Sequence, residues 1–261
     1  EGSAVLPSHV RAIQALTLCR TGALGGHVAE CSDCGSEHLF LHSCGHRACP
    51  QCGHDATSRW LERQRELLLP VIYFHVVVTL PSEYRRHVRQ HQRALIPVFF
   101  QAVFESLSAL CADSHWLGGQ VGALAVLHTW TRTLEWHPHI HMLVPGGALA
   151  PDASTWLSLP PRPKNYLIPE RALAERFRGR FLALARKALP AVRFPEIPWG
   201  KRWIAFTKEA VQGPERVLEY LGRYVHKTAI ADHAITSISD GSVTFRYRDS
   251  RTHERKAMML P

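Results

Sequence analysis

The sequence predicts an α+β fold: an antiparallel sheet with helices on one face, preceded by a small cysteine-rich module. Two observations lead to this expectation. Apolar strand and helix patterns alternate along the chain and close with antiparallel pairs, and five of the seven cysteines lie between Cys31 and Cys52. With 261 residues and 46% apolar composition, the chain can form one sizeable domain and a smaller appendage.

The N-terminal third predicts two helices around the cysteine segment. Residues 6–20 show helical spacing and then meet Gly22. Residues 27–53 are poor in apolar side chains, and 54–70 form an amphipathic pattern that Pro70 stops. We therefore expect one domain over 1–70, containing a metal-binding module at 27–53, and a second domain over 71–261.

The sequence of the second domain predicts a sheet with connecting helices. The β-branched run at 71–81 is bounded by prolines, and Asp240-Gly241 is typical of a hairpin turn. The other predicted elements, in order, are a helical stretch at 83–113 with a possible break at Pro97, strands at 121–130 and 137–146, irregular chain at 147–168, a helix at 169–189, a strand at 202–208 and a helix at 214–229.

Charge and targeting signals narrow the class of protein. Lys and Arg exceed Asp and Glu by nine and the pI is about 9.5, which favours a polyanionic partner such as nucleic acid. No apolar run approaches the roughly 18–20 residues that cross a bilayer, and the first residues lack a secretory pattern. We expect a cytoplasmic, bacterial, DNA-associated protein without a membrane or small-molecule substrate.

The cysteine segment contains two copies of Cys-x-x-Cys, in "CSDCG" and "CPQCG". Each such turn directs two thiolates at one centre, and two turns complete a tetrahedral zinc site. The sequence therefore predicts structural Zn²⁺ in a zinc-ribbon-like fold, with Cys31, Cys34, Cys49 and Cys52 as ligands.

Other residues near the cysteine pairs could join the site. Cys44, His27 and His46 could each replace a ligand, or support a second ion, although we expect them to be neighbours. Cys19 and Cys111 lie in apolar helical patterns and are expected to be small core residues.

The stretch "HPHIHMLVPG" places His137, His139 and His141 on one face of a strand, and Ile140, Met142 and Val144 on the other, where they can pack under the helices. His139 and His141 could share a divalent ion, with His128 of the preceding strand as third ligand and His75 as the alternative. A metallo-β-lactamase-like hydrolase is excluded, because its Asp-His continuation is replaced by Leu143 and Val144.

The segment "PERVLEYLGRYVHKTA" predicts a helix with Tyr220 and Tyr224 on one side. They border an apolar stripe of Val217, Leu218, Leu221 and Val225. Three basic residues lie just beyond the tyrosines: Arg216, Arg223 and Lys227. Phenols flanked by cations suit contact with a phosphodiester backbone. A phenol has a pKa near 10, so attack on phosphate becomes feasible when a divalent ion polarises the phosphate.

The chain resembles the two-tyrosine HUH transposases of the IS91-like insertion sequences, which carry an N-terminal zinc-binding domain. The similar segments are "CRTGALGGHVAECSDCG", "SCGHRACPQC", "FHVVVTLP", "LHTWTRTLEWHPHIHMLVPGG" and "VLEYLGRYVHKTAI". The resemblance implies an HUH endonuclease-like sheet, Mg²⁺ or Mn²⁺ at His139 and His141, and cleavage of single-stranded DNA by Tyr220 and Tyr224 through a 5′-phosphotyrosine.

The resemblance also shows departures. Family members often have histidine where this chain has Ala48, and they tend to continue beyond the last residue, so we expect a partial copy. The same chemistry could serve a plasmid replication initiator or relaxase. A third alternative is a non-catalytic zinc-ribbon DNA-binding protein. The sequence does not predict the oligomeric state.

Overall fold

The computed structural model describes residues 7–46, 48–160, 167–197, 200–210, 213–225, 230, 232–249 and 251–261. The helices in this part of the chain are α1 Pro7–Leu18, α2 Pro50–Glu66, α3 Ser82–Gln90, α4 Gln92–Cys111, α5 Glu170–Ala188 and α6 Pro214–Val225. The strands are β1 Gly26–Glu30, β2 Glu37–Leu41, β3 Tyr73–Thr79, β4 Leu124–Trp130, β5 Trp136–Pro145, β6 Gly147–Leu149, β7 Trp156–Ser158, β8 Ile204–Glu209, β9 Ile235–Ser239, β10 Ser242–Arg248 and β11 Arg255–Leu260.

The chain divides into two compact units. One comprises Glu1–Gln64 with Gly222–Thr228, and the other comprises Arg65–Leu221 with Ala229–Pro261. The division therefore falls inside α6, between Leu221 and Gly222. The domain boundary expected after residue 70 remains a prediction.

The larger unit is built on an antiparallel sheet with strand order β4-β5-β3-β8. Alternation sends Phe74, Val76 and Val78 of β3 and Ile140 and Met142 of β5 into the core, each at most 1% exposed. These side chains pack with buried residues of α4 and α5 in one hydrophobic cluster. This arrangement confirms a mixed α+β fold with an antiparallel sheet, and it puts the predicted core strands at its centre.

The helical stretch predicted at 83–113 is divided at a different residue from the one expected. The break lies at His91, between α3 and α4, whereas Pro97 lies inside α4. His91 has φ −120° and ψ 41°, which is outside the helical region, and its carbonyl accepts the amide of Leu95 as α4 begins.

The irregular stretch expected after the histidine strand contains a short hairpin of β6 and β7. Gly147 allows this hairpin to form, because a Cβ there would lie 2.5 Å from the ring of Trp156. At the C-terminal end, Asp240 and Gly241 both have positive φ, as a type I′ turn requires, and a third strand, β11, pairs with β10.

By length and composition, helix α4 is long and apolar enough to cross a membrane. This finding corrects the expectation that no apolar run approaches that length. Helix α4 is the single helix of this kind in the described ranges. Its residues Leu95, Phe99, Val103 and Leu107 are buried and pack in the cluster that contains Phe177. This packing is that of a core helix.

The smaller unit has few buried apolar side chains among the residues that the structure describes. All of β1 and β2 is exposed, and α1 has no buried residue. In α2 the buried residues are Gly53 and Thr57. Such a unit buries too little apolar surface to offset its conformational entropy, so another source of stability is needed.

Candidate functional site

Three histidines of the sheet converge on the face opposite the α4–α5 layer. His128 of β4 is directly opposite His139 of β5, and His141 follows two residues later on the same face. One ring nitrogen from each lies within 4.8 Å of the others. The structure therefore brings together the predicted pair and the predicted third ligand.

Hydrogen bonds fix the tautomer of His139. Its Nδ1 lies 2.7 Å from the carbonyl oxygen of His137, and since a carbonyl only accepts, this nitrogen carries the proton. The Nε2 of His139 is then an acceptor, 3.0 Å from Nδ1 of His128. A lone pair at Nε2 is what a metal ligand requires. His137 itself lies outside the three-histidine group.

His75 of β3 contacts this group from the other side. Its Nε2 lies 2.9 Å from Nδ1 of His141, and the two rings stack with centroids 5.2 Å apart. His75 is opposite Leu143 in the strand register, so it shares the histidine face. The alternative third ligand of the sequence analysis thus touches a candidate ligand and lies outside the three-atom cluster.

Burial keeps these imidazoles neutral at physiological pH. Desolvation, reinforced by neighbouring histidines, lowers the pKa of His128 to about 4 and that of His141 to about 2. Burial also lowers the pKa of His139 and of His75. Neutral imidazole is the form that binds a cation, so no proton has to be displaced near pH 7.

Tyr220 lies against the same histidines. Its ring centroid is 5.5 Å from that of His141 and 5.7 Å from that of His75, both edge-on. Helix α6 therefore contacts the histidine face, which corrects the expectation that all helices lie on one face of the sheet. The buried side chains of Leu218 and Leu221 are on the apolar stripe that the sequence predicted.

A cavity of about 580 Å³ opens beside Tyr220. Its lining includes His75, Lys208, Glu209, Arg216 and Tyr220. Arg216 is exposed and pairs with Glu219 at 3.4 Å. The cavity thus combines two cations, one carboxylate and a phenol next to the histidines, and Lys208 is a residue that sequence reasoning did not identify.

Part of the predicted site lies beyond what the structure describes. Tyr224 and Arg223 fall within α6, but their side chains are outside the described residues, as is Lys227 altogether. The assignment of a second nucleophile and of two DNA-binding cations therefore remains a prediction.

In the smaller unit, four thiols form a compact cluster: Cys19, Cys44, Cys49 and Cys52. The Sγ atoms of Cys19 and Cys49 are 3.5 Å apart, those of Cys19 and Cys52 3.7 Å, and those of Cys44 and Cys52 3.8 Å. A tetrahedral ion with bonds of about 2.3 Å separates its sulfurs by about 3.8 Å. The cluster therefore has the dimensions of a structural zinc site.

Backbone amides also favour thiolates at the cluster. The amide of Cys44 donates to Sγ of Cys19, and the amide of His46 donates to Sγ of Cys44, both at 3.4 Å. The Nδ1 of His46 accepts the amide of Ala48, and His46 is not one of the four residues that group in the cluster.

Two of the predicted zinc ligands, Cys31 and Cys34, lie apart from this cluster, so the ligand set stays a prediction. They form the tight turn between β1 and β2, where the amide of Gly35 donates to the carbonyl of Cys31. The cluster contains Cys19 and Cys44 instead. The missed signal was the spacing of Cys44, Cys49 and Cys52, three cysteines within nine residues.

Two family models match the regions of the chain that contain these two clusters. The family model described as "Putative transposase" matches residues 122–261, which include His128, His139, His141 and Tyr220. The model described as "Transposase zinc-binding domain" matches residues 2–80, which include the four-thiol cluster.

Two curated relatives are similar over nearly the whole chain. "Putative transposase y4qJ" of Sinorhizobium fredii (strain NBRC 101917 / NGR234) is 39% identical over 267 residues, covering 95% of this chain and 66% of that protein. The transposase for insertion sequence element IS801 of Pseudomonas savastanoi pv. phaseolicola is 28% identical over 274 residues, covering 93% and 61%. This chain thus spans less than two thirds of either relative. No solved structure matches it.

The resemblance seen in the sequence is therefore confirmed by the family models and by both relatives. The four thiols are chemically and geometrically suited to zinc within the matched zinc-binding region. The chain belongs to the IS91-like family of insertion-sequence transposases.

Proposed function

We propose that this chain is a DNA strand transferase that cuts one strand through a covalent tyrosine intermediate. The observation that carries the proposal is the meeting of a phenol with the histidine cluster: Tyr220 lies edge-on to His141, which groups with His128 and His139. A nucleophile, a set of neutral nitrogen ligands and nearby cations are the parts that phosphodiester cleavage needs.

His128, His139 and His141 would hold a divalent cation. Such an ion, when bound, polarises the scissile phosphate and stabilises the charge that develops on it. An all-imidazole set is typical of transition metals, whereas Mg²⁺ prefers oxygen ligands, so we expect Mn²⁺ to bind more tightly than Mg²⁺. Water and phosphate oxygens would supply the remaining ligands.

His75 would act as a positioning residue. If the Nδ1–H of His141 donates to Nε2 of His75, the ring orientation of His141 is fixed and its Nε2 is left as the ligand atom. His75 would thereby support the metal site without binding the ion.

The reaction would proceed by exchange of two P–O bonds. The phenol oxygen of Tyr220 bonds to phosphorus as the bond to the 3′ oxygen breaks, which leaves a 5′-phosphotyrosine and a free 3′-OH. The phenol loses its proton and the departing oxygen gains one, so the protons balance. Tyr224 would provide a second nucleophile for a further transfer, as in a rolling-circle mechanism.

The substrate would be single-stranded DNA at transposon ends and target. Support comes from the excess of nine basic residues and from Arg216 beside Tyr220, with Arg223 and Lys227 following on the same segment. A cytoplasmic, DNA-associated location in a bacterium belongs to this proposal.

The test is covalent attachment to a single-stranded oligonucleotide that carries an end of the element, with Mn²⁺ present. We expect an adduct, visible as a shifted band under denaturing conditions, that the double variant Tyr220→Phe, Tyr224→Phe abolishes. Tyr247→Phe, on β10 of the C-terminal sheet, is the matched control and should form the adduct normally. An adduct in the double variant would refute the nucleophile assignment. DNA binding without any adduct would favour the non-catalytic alternative.

A further inference from the structure

Edge strand β8 exposes an apolar stripe on the histidine face of the sheet. Its alternation buries Ala205 towards the helices and turns Ile204, Phe206 and Lys208 outward. Trp203, just before the strand, is also buried. Ile204 is 61% exposed and Phe206 44%. We refer to Ile204, Phe206 and Lys208 as the β8 stripe.

The β8 stripe is continuous with the candidate active site. In the register of β8 with β3, Lys208 is opposite His75 and Phe206 is opposite Val77. Val77 is in turn opposite His141 on β5. Phe206 is therefore two strands away from a candidate metal ligand, on the same face, and Lys208 and His75 line the cavity beside Tyr220.

An exposed apolar edge strand is a liability unless a partner covers it. The partner here must offer apolar surface to Phe206 and negative charge to Lys208 and Arg216. Glu209 also lines the cavity, but strand alternation turns it to the face opposite Lys208, and Arg216 is exposed although it pairs with Glu219 at 3.4 Å. An unpaired nucleic acid strand has this combination, because its bases stack on aromatic rings while its phosphates meet basic side chains.

We propose that the β8 stripe binds the unpaired nucleotides next to the scissile phosphate. Phe206 stacks on a base, Ile204 extends the apolar contact and Lys208 pairs with a phosphate. This inference rests on the proposed function, which supplies the 5′-to-3′ direction of the bound strand and the position of the scissile phosphate. Because the base faces in a duplex are covered by stacking on the neighbouring base pairs, the stripe discriminates single-stranded from double-stranded DNA.

The test is binding of a fluorescein-labelled single-stranded 20-mer to the zinc-loaded chain, without Mn²⁺ or Mg²⁺, followed by anisotropy. We expect Phe206→Ala to raise the Kd roughly 5- to 100-fold, the range for loss of one stacked base. Phe206→Trp should retain affinity, because the ring is what matters. Lys208→Ala should reduce the salt slope by about 0.7, the value for one phosphate on a single strand.

Ile238→Ala is the matched control, because Ile238 is an exposed apolar residue on β9 of a different sheet. It should leave the Kd unchanged. A Phe206→Ala variant that binds the single strand as wild type does would overturn the proposal. So would equal losses for single-stranded and duplex DNA, or a change in oligomeric state by sedimentation without a change in Kd, which would make the stripe a contact between copies.

The adduct assay with Mn²⁺ separates this inference from the proposed function. If wild type forms the adduct and Phe206→Ala binds normally, the stripe assignment fails and the nuclease assignment stands. If wild type forms no adduct but Phe206→Ala weakens single-strand binding, the stripe stands and the nuclease assignment fails.

Discussion

Replacing single cysteines distinguishes the four-thiol cluster from the ligand set that sequence spacing suggested. We expect Cys19→Ser to lose the zinc ion and unfold the smaller unit, whereas Cys31→Ser retains one zinc ion per chain. The reason is geometric: Cys19 is 3.5 and 3.7 Å from two other thiols, at the separation that tetrahedral zinc imposes, and Cys31 is outside the cluster.

The loss of folding free energy expected from removing one zinc ligand is large because the core of this unit is weak. Structural zinc contributes about 10–16 kcal/mol of folding free energy in small domains, so the share of one ligand in four is about 2.5–4 kcal/mol. A loss of about 3 kcal/mol lowers zinc affinity more than 100-fold. Since β1 and β2 are entirely exposed, little apolar packing is available to compensate.

The assay combines zinc content by mass spectrometry with limited proteolysis of the full chain. In the presence of a competing zinc chelator, Cys19→Ser should lose its zinc and be cleaved rapidly within residues 7–64, while Cys31→Ser and wild type retain zinc and resist cleavage. Cys111→Ser is a useful control, because Cys111 is buried in α4 within the other unit. Retention of zinc by Cys19→Ser together with its loss from Cys31→Ser would refute the assignment.

Three further predictions concern the larger unit. His128→Ala should lower Mn²⁺ affinity more than 100-fold in a paramagnetic-resonance titration, and His75→Ala should lower it about 10- to 100-fold, as expected for a residue that holds a ligand in place. His137→Ala should leave the affinity unchanged, and equal effects of all three variants would contradict the ligand assignment. Stability in urea should fall by about 4 kcal/mol from pH 7.5 to pH 5, about 2 kcal/mol for each of His128 and His141, because unfolded histidines bind protons below about 6.5 while burial lowers the pKa of these two. A flat profile would contradict this. Phe177→Ala should destabilise the larger unit by about 3–5 kcal/mol in the same urea assay, since the Phe177 ring is fully buried between Phe99 and Trp203. A loss below about 1 kcal/mol would show that the surrounding side chains fill the space left by the ring.

Local patterns predicted most of the elements. The alternation in "HPHIHMLV" correctly assigned Ile140 and Met142 to the core and the histidines to the other face, because a strand has a two-residue period whatever surrounds it. Helical spacing likewise identified the buried Leu218 and Leu221 of α6. The break at His91 was missed, because Pro97 was the stronger local signal and tertiary packing tolerates it inside α4.

The sequence by itself determined which side chains share a face and which chemistry they carry: imidazoles on one strand, phenols on one helix, thiols in one segment. Tertiary structure decided which of them meet. It brought Cys19 to a cluster 25 residues downstream, separated the Cys31 turn from it, put His128 closer than His75 to a common centre, and laid Tyr220 on the histidine face. The physical reason is that periodicity describes the orientation of a residue within its own element, whereas a metal site depends on the path of the chain between elements.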